Sequence, residues 1–131
     1  MILQCLSYYP CFDENGWLHT LCQILLIFTL SAVPPVDMKS LLEAAYNALA
    51  PEGHLLIRDY GLYDMAMLRF PYAQCLDDRS QISRCPDAGG CQYFMRKDGT
   101  LSYFFDLVTL ATLCESVGFT TVSTKVSLLF A

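Results

Sequence analysis

The sequence predicts an α/β fold built around a parallel pair of strands, and three observations carry the prediction. Ile24-Leu25-Leu26-Ile27-Phe28 is an apolar run with the length of a buried parallel strand. Met38, Leu41, Leu42, Ala45 and Leu49 then recur at helical spacing, with Lys39, Glu43 and Asn47 off the stripe. His54-Leu55-Leu56-Ile57 is a second short strand pattern. Strand, helix and strand in this order make a βαβ unit with a right-handed crossover, half of a doubly wound sheet.

The elements can be justified in chain order. Residues 1–22 match no recognisable pattern; Tyr8-Tyr9-Pro10 and Asp13-Glu14-Asn15-Gly16 read as turn and loop chemistry. Residues 17–36 carry no Asp, Glu, Lys or Arg, which raises a membrane span as a rival. His19, Thr20, Gln23, Thr29 and Ser31 interrupt that run, Pro34-Pro35 ends it, and no basic cluster flanks it. The strand reading is therefore preferred. Asp37 is placed to cap the helix, and Pro51-Glu52-Gly53 to stop it.

After Phe70 the chain reads as irregular, with a surface loop over residues 77–90. Residues 92–95 and 101–105 are aromatic-rich strands about Lys97-Asp98-Gly99-Thr100, a strong hairpin signal. Asp106 is placed to cap a helix with Leu107, Leu110, Ala111, Cys114 and Val117 on one face and Gly118 as its stop. Residues 120–126 are β-branched and alternating, and predict a last strand.

Composition narrows the function classes. A chain of 131 residues suits one domain and one core. Only 16% of its residues are charged, against about 25% in typical domains, so it is not disordered and is expected to expose apolar surface. A net charge of −5 argues against a self-sufficient nucleic-acid binder. The seven cysteines include no Cys-x-x-Cys pair, and Asp13 and Glu14 fall where a secretory leader would be apolar. Reduced thiols in the cytoplasm are expected, with mitochondrial residence left open. Cys85 and Cys91 bracket a loop that could hold a metal or a disulfide, but no His or further Cys stands at ligand spacing, so no metal site is assigned. His19 and His54 lack partners at metal or triad spacing.

Arg58-Asp59-Tyr60-Gly61, Tyr63-Asp64-Met65-Ala66-Met67-Leu68-Arg69-Phe70 and Asp98-Gly99-Thr100, with Leu26-Ile27-Phe28-Thr29-Leu30-Ser31-Ala32 upstream, occur in an order that resembles the tRNA 3-methylcytidine methyltransferases. These are S-adenosylmethionine enzymes of the methyltransferase-like group. The resemblance runs from about Leu25 to Phe119 and covers the C-terminal part of such an enzyme. It implies a partial Rossmann-like class I methyltransferase sheet, its C-terminal half, with an added aromatic β-hairpin. Residues 1–22 would be an unassigned N-terminal tail and 23–131 a truncated methyltransferase domain. The implied activity is cytidine N3 methylation of tRNA, with S-adenosylmethionine as cofactor, tRNA as partner and an activating protein as a further partner. The family's cofactor loop is glycine-rich, and this chain has no Gly-x-Gly; the chain alone is expected to bind the cofactor weakly or not at all and to be inactive. The alternative is a non-catalytic fragment or interaction module, derived from the same fold, that associates through an exposed sheet edge.

By motif, the resemblance assigns Ile27 to an apolar cofactor contact and places Leu30 and Ser31 beside the reacting methyl group. Arg58 and Asp59 become the catalytic pair. Cytosine N3 keeps a lone pair at neutral pH, so alignment and water exclusion would do most of the catalysis. A carboxylate could stabilise the cationic product ring, and Arg58 could orient it or contact phosphate. Tyr60 and Tyr63 could stack on an extruded base, and Arg69, with Arg96 and Lys97, could touch the tRNA backbone. The plainer readings stay open: Ile27 and Leu30 as core, Arg58 and Asp59 as a closed strand end, and Tyr63, Met65, Met67, Leu68 and Phe70 as packing.

Overall fold

The computed structural model describes residues 2–7, 21–70, 76 and 92–126. The loop expected over residues 77–90, the Asp13-Glu14-Asn15-Gly16 turn, His19, and the pair Cys85 and Cys91 lie outside the described residues.

The apolar run becomes β2 (Leu21–Ile27), and the helical stripe becomes α1 (Pro35–Ala48). The second run becomes β3 (Leu49–Asp59), which lies parallel to β2. The expected βαβ unit is present. Its helix begins earlier than Asp37, because Pro35 sits in the first turn where its missing N–H costs nothing. Asp37 falls inside that turn, where its charge favours the helix dipole. Pro51-Glu52-Gly53 belongs to the irregular start of β3, with Glu52 at φ 61°, and the pairing register shifts there.

Sequence reasoning left residues 1–22 without an element. The structure places Ile2–Ser7 as β1, antiparallel to both β3 and β6 (Thr120–Val126). The sheet order is β2-β3-β1-β6. β1 is thus an interior strand, and without it β3 and β6 would have no pairing partner between them.

One face of the sheet carries the core. Leu26 on β2 and Leu55 and Ile57 on β3 are buried with Met38, Leu42 and Ala45 of α1. Leu110 and Cys114 of α3 (Leu107–Glu115) join them, as does Phe119. Asp106 caps α3 as expected, accepting the Thr109 N–H at 2.7 Å. Gly118 at φ 113° ends it, and a Cβ there would meet the Tyr46 ring at 3.1 Å.

The opposite face differs from the buried strand that the apolar run suggested. Leu25 and Ile27 are 56% and 50% exposed, because β2 is an edge strand and no described element covers that side. Among the described residues, no helix is long and apolar enough to cross a membrane.

The aromatic hairpin forms a second sheet, β4 (Tyr93–Met95) with β5 (Leu101–Tyr103), turned by Gly99 at φ 84°. It docks through backbone bonds from Phe105 N–H to the Tyr60 carbonyl (3.0 Å) and from Leu62 N–H to the Phe105 carbonyl (2.9 Å). Phe94 and Phe104 form a separate cluster there with Tyr60, Leu62, Ala66, Met67 and Phe70.

Candidate functional site

The parallel strands β2 and β3 end side by side, and their C-terminal edge is where open α/β sheets bind ligands. Sequence governs how each strand leaves the sheet. After β2, Phe28 still donates its N–H to the Arg58 carbonyl at 2.8 Å, but its backbone sits at φ 49°. That left-handed conformation is rare for a bulky residue. It turns the chain into a 3-10 turn at Leu30–Ala32, helped by the Thr29 hydroxyl donating to the Ile27 carbonyl at 3.1 Å.

Asp59, the last residue of β3, ties the two exits together. Its carboxylate accepts the Ser31 N–H at 3.0 Å and the Tyr60 N–H at 2.9 Å. Asp59 is fully buried and Ser31 is 2% exposed. Burial pushes the Asp59 carboxyl above its ordinary range, against hydrogen bonds from the Ser31 hydroxyl and from the Ser31, Tyr60 and Leu30 backbones. Two residues read from separate motifs, one for the cofactor and one for catalysis, are thereby direct partners.

The exposed rim of this edge is aromatic and cationic. The Phe28 and Tyr60 rings lie 4.7 Å apart at 36°, and Tyr60 packs in turn on Phe104 at 5.5 Å. The Arg58 guanidinium carbon stands over the Phe28 ring at 6.0 Å, and that of Arg96 over the Tyr60 ring at 5.9 Å. Arg96 also donates to the Tyr60 hydroxyl at 3.5 Å. Each contact has the geometry of a cation–π pair.

Beyond Tyr60, Tyr63 adopts φ 63° and is 59% exposed, while its N–H donates to the Met67 sulfur at 3.3 Å. Asp64 caps α2 (Met65–Leu68) by accepting the Ala66 N–H at 3.0 Å. Arg69 ends that helix, and its side chain is exposed. The edge therefore brings together Ile27, Ser31, Arg58, Asp59 and Tyr60. Leu30 is fully buried in the main core, while Tyr63 and Arg69 lie on the following turn and helix. Motif reading gave Phe28 no role. Its aromatic character was visible, but its strained backbone and the approach of Arg58 arise only from the parallel register.

No family model matches the chain. It is 40% identical over 100 residues to "tRNA N(3)-cytidine methyltransferase METTL2" of Xenopus tropicalis, covering 76% of this chain and 26% of that protein. It is 42% identical over 96 residues to "tRNA N(3)-cytidine methyltransferase METTL6" of Homo sapiens, covering 73% and 29%. A protein named "O-methyltransferase 3" from Dictyostelium discoideum is 36% identical over 107 residues, covering 82% and 22%. The chain spans about a quarter of the length of the curated relatives it matches.

Proposed function

We propose that this chain, which belongs to the tRNA N3-methylcytidine methyltransferase family, serves S-adenosylmethionine-dependent methylation of cytidine N3 in tRNA by supplying the substrate-side edge of the catalytic sheet. The observation that carries the reading is the coincidence of the shared segment with the Asp59–Ser31 lock at the ends of the parallel strands. In this reading β2, α1 and β3, with α3 and β6, are the C-terminal half of a Rossmann-like class I sheet. In this sheet β1 takes an antiparallel place between β3 and β6. The methyltransferase-derived domain is then residues 23–131, with β1 recruited to its sheet from the first 22 residues. Its compartment in this reading is the cytoplasm.

The residues present do not fit S-adenosylmethionine as a complete site. Leu30 and Ser31 are buried, which leaves Ile27, half exposed, as the apolar contact among the three assigned by motif. The Asp59 carboxylate is occupied internally, so it is not offered to a ribose. No step is therefore routed through the cofactor. What the chain's own residues do is positional. Asp59 holds the 3-10 turn against β3, which fixes the rim where Arg58, Tyr60 and Phe28 stand. A pyrimidine N3 needs no general base, so a rigid rim that orients the ring contributes where alignment matters most.

The test is the 3-methylcytidine content of tRNA, by nucleoside mass spectrometry, in cells lacking the gene for this chain. A fall supports the reading, and an unchanged content refutes it. In parallel, calorimetric titration of the purified chain with S-adenosylhomocysteine is expected to show no saturation. Saturable binding lost in Ile27→Asp would place the cofactor site on this chain and overturn the substrate-side assignment.

A second reading is a non-catalytic interaction module, favoured by the open sheet face at Leu25 and Ile27. In that case loss of the gene leaves tRNA methylation intact.

A further inference from the structure

We propose that Phe28 and Arg58 form a clamp for a single pyrimidine base of RNA, with Tyr60 and Arg96 as its buttress. This deepens the substrate-side reading above and rests on it. The starting observation is an exposed aromatic ring in a costly conformation. Phe28 is 40% exposed yet held at φ 49°, in a position that a glycine would occupy without strain. Strain of this kind persists where the surroundings over-determine it, and it gathers at ligand-binding edges. Here the surroundings are the Phe28 N–H bond to the Arg58 carbonyl and the ring's contact with Tyr60.

The spacing fits the occupant. The Arg58 guanidinium carbon is 6.0 Å from the Phe28 ring centre. A planar base between ring and guanidinium needs two layers of about 3.5 Å each. To admit a base the Arg58 guanidinium, 6.0 Å from the ring centre, moves outward by about 1 Å. A base in that position stacks on Phe28 and is covered by a guanidinium, the aromatic stacking and arginine contact that hold bases of single-stranded nucleic acid.

The buttress explains why the ring stays in place. Tyr60 packs on Phe28 and also on Phe104, which is fully buried. Arg96 covers the Tyr60 ring and reaches its hydroxyl, placing a second cation near the same aromatic ladder for a phosphate. Tyr60, assigned by motif to stack on the base itself, is thus a supporting residue. The net charge of −5 is consistent with a site that grips one base instead of a length of backbone.

The experiment is amide NMR titration of the full chain with cytidine 5′-monophosphate, with inorganic phosphate as a separate titrant. Saturable shifts centred on Phe28, Arg58 and Tyr60 are expected for the nucleotide and not for phosphate. Phe28→Ala should weaken binding at least about fivefold, and Phe28→Tyr should retain it. Phe28→Gly separates folding from recognition: the midpoint of thermal unfolding should hold or rise while binding is lost. The clamp is overturned by an absence of saturable shifts, by equal affinity in Phe28→Ala, or by phosphate alone producing the same shifts. Nucleotide binding lost in Phe28→Ala, beside unchanged tRNA methylation in the gene-deletion cells, would sustain the clamp and sink the methylation reading.

Discussion

Replacing Asp59 tests the claim that one carboxylate holds the rim together. In Asp59→Ala the Ser31 N–H loses its acceptor in a position only 2% exposed, and the half-buried Tyr60 N–H loses its own. A buried donor left unsatisfied costs about 1–3 kcal/mol, with the smaller figure for the half-buried one. Together the two donors lose about 2–4 kcal/mol, and removing a carboxylate that burial already disfavours returns part of that, so the expected net destabilisation is about 1–3 kcal/mol. Urea unfolding followed by far-ultraviolet circular dichroism measures it. A loss well under 1 kcal/mol would mean that the turn and the strand end are held by something other than Asp59.

The pH dependence supplies a sharper check, with Asp59→Asn as the reference that does not titrate. The folded state raises the Asp59 carboxyl above its ordinary value of 3.8, so the folded protein binds this proton more tightly than the unfolded chain does. The contribution from site 59 is therefore full below the unfolded value and is lost as pH rises through the folded one. The stability gap between wild type and Asp59→Asn should shift against wild type as pH rises across that window. A gap that moves the other way would show that the hydrogen bonds from Ser31, Tyr60 and Leu30 outweigh burial and hold the group as an anion.

Four further outcomes follow from the same structure. Ser102 is fully buried and its hydroxyl has no partner among the described residues, so Ser102→Ala should stabilise the chain by about 1 kcal/mol in urea unfolding. Gly118→Ala should destabilise it by about 1 kcal/mol or more, because φ 113° is strained for alanine and its Cβ meets the Tyr46 ring at 3.1 Å. The Cys114 thiol, pushed up to about 12 by burial and by Glu115, should resist alkylation in the native chain while exposed Cys22 reacts, as read by peptide mass spectrometry. Removal of residues 1–7 should abolish cooperative thermal unfolding, since β1 is paired along its length with both β3 and β6.

How much of this was legible in the sequence depended on how local each determinant is. The α1 stripe, the Asp106 cap, the Gly118 stop and the Asp-Gly hairpin are set by residues within a few positions of one another, and each forms where the pattern put it, except that Leu49, read as the end of the stripe, opens β3. The parallel pairing of β2 and β3 followed from the spacing of two apolar runs about a helix. The exposure of Leu25 and Ile27 did not, because an apolar run does not reveal whether another layer lies over it. Strand β1 left no signal, since a six-residue strand near a chain end has no neighbour in sequence to fix its place. Its partners, β3 and β6, begin more than forty residues later.

The candidate site shows the same division more sharply. Motif order singled out Ser31, Arg58, Asp59 and Tyr60, and parallel register sets where each of them sits. Because Ile27 pairs with Arg58, the next residue in each strand falls at the same level: Phe28 turns outward at positive φ, and Asp59 turns inward to the Ser31 N–H. One register thus sorts four adjacent residues into an exposed pair, Phe28 and Arg58, and a buried pair, Ser31 and Asp59. A shift by one residue would exchange the two faces of the strand and bury the arginine. The recognition surface and its internal brace are therefore the same structural choice, which is why a substitution that loosens Asp59 should disturb binding at Phe28 without touching the ring.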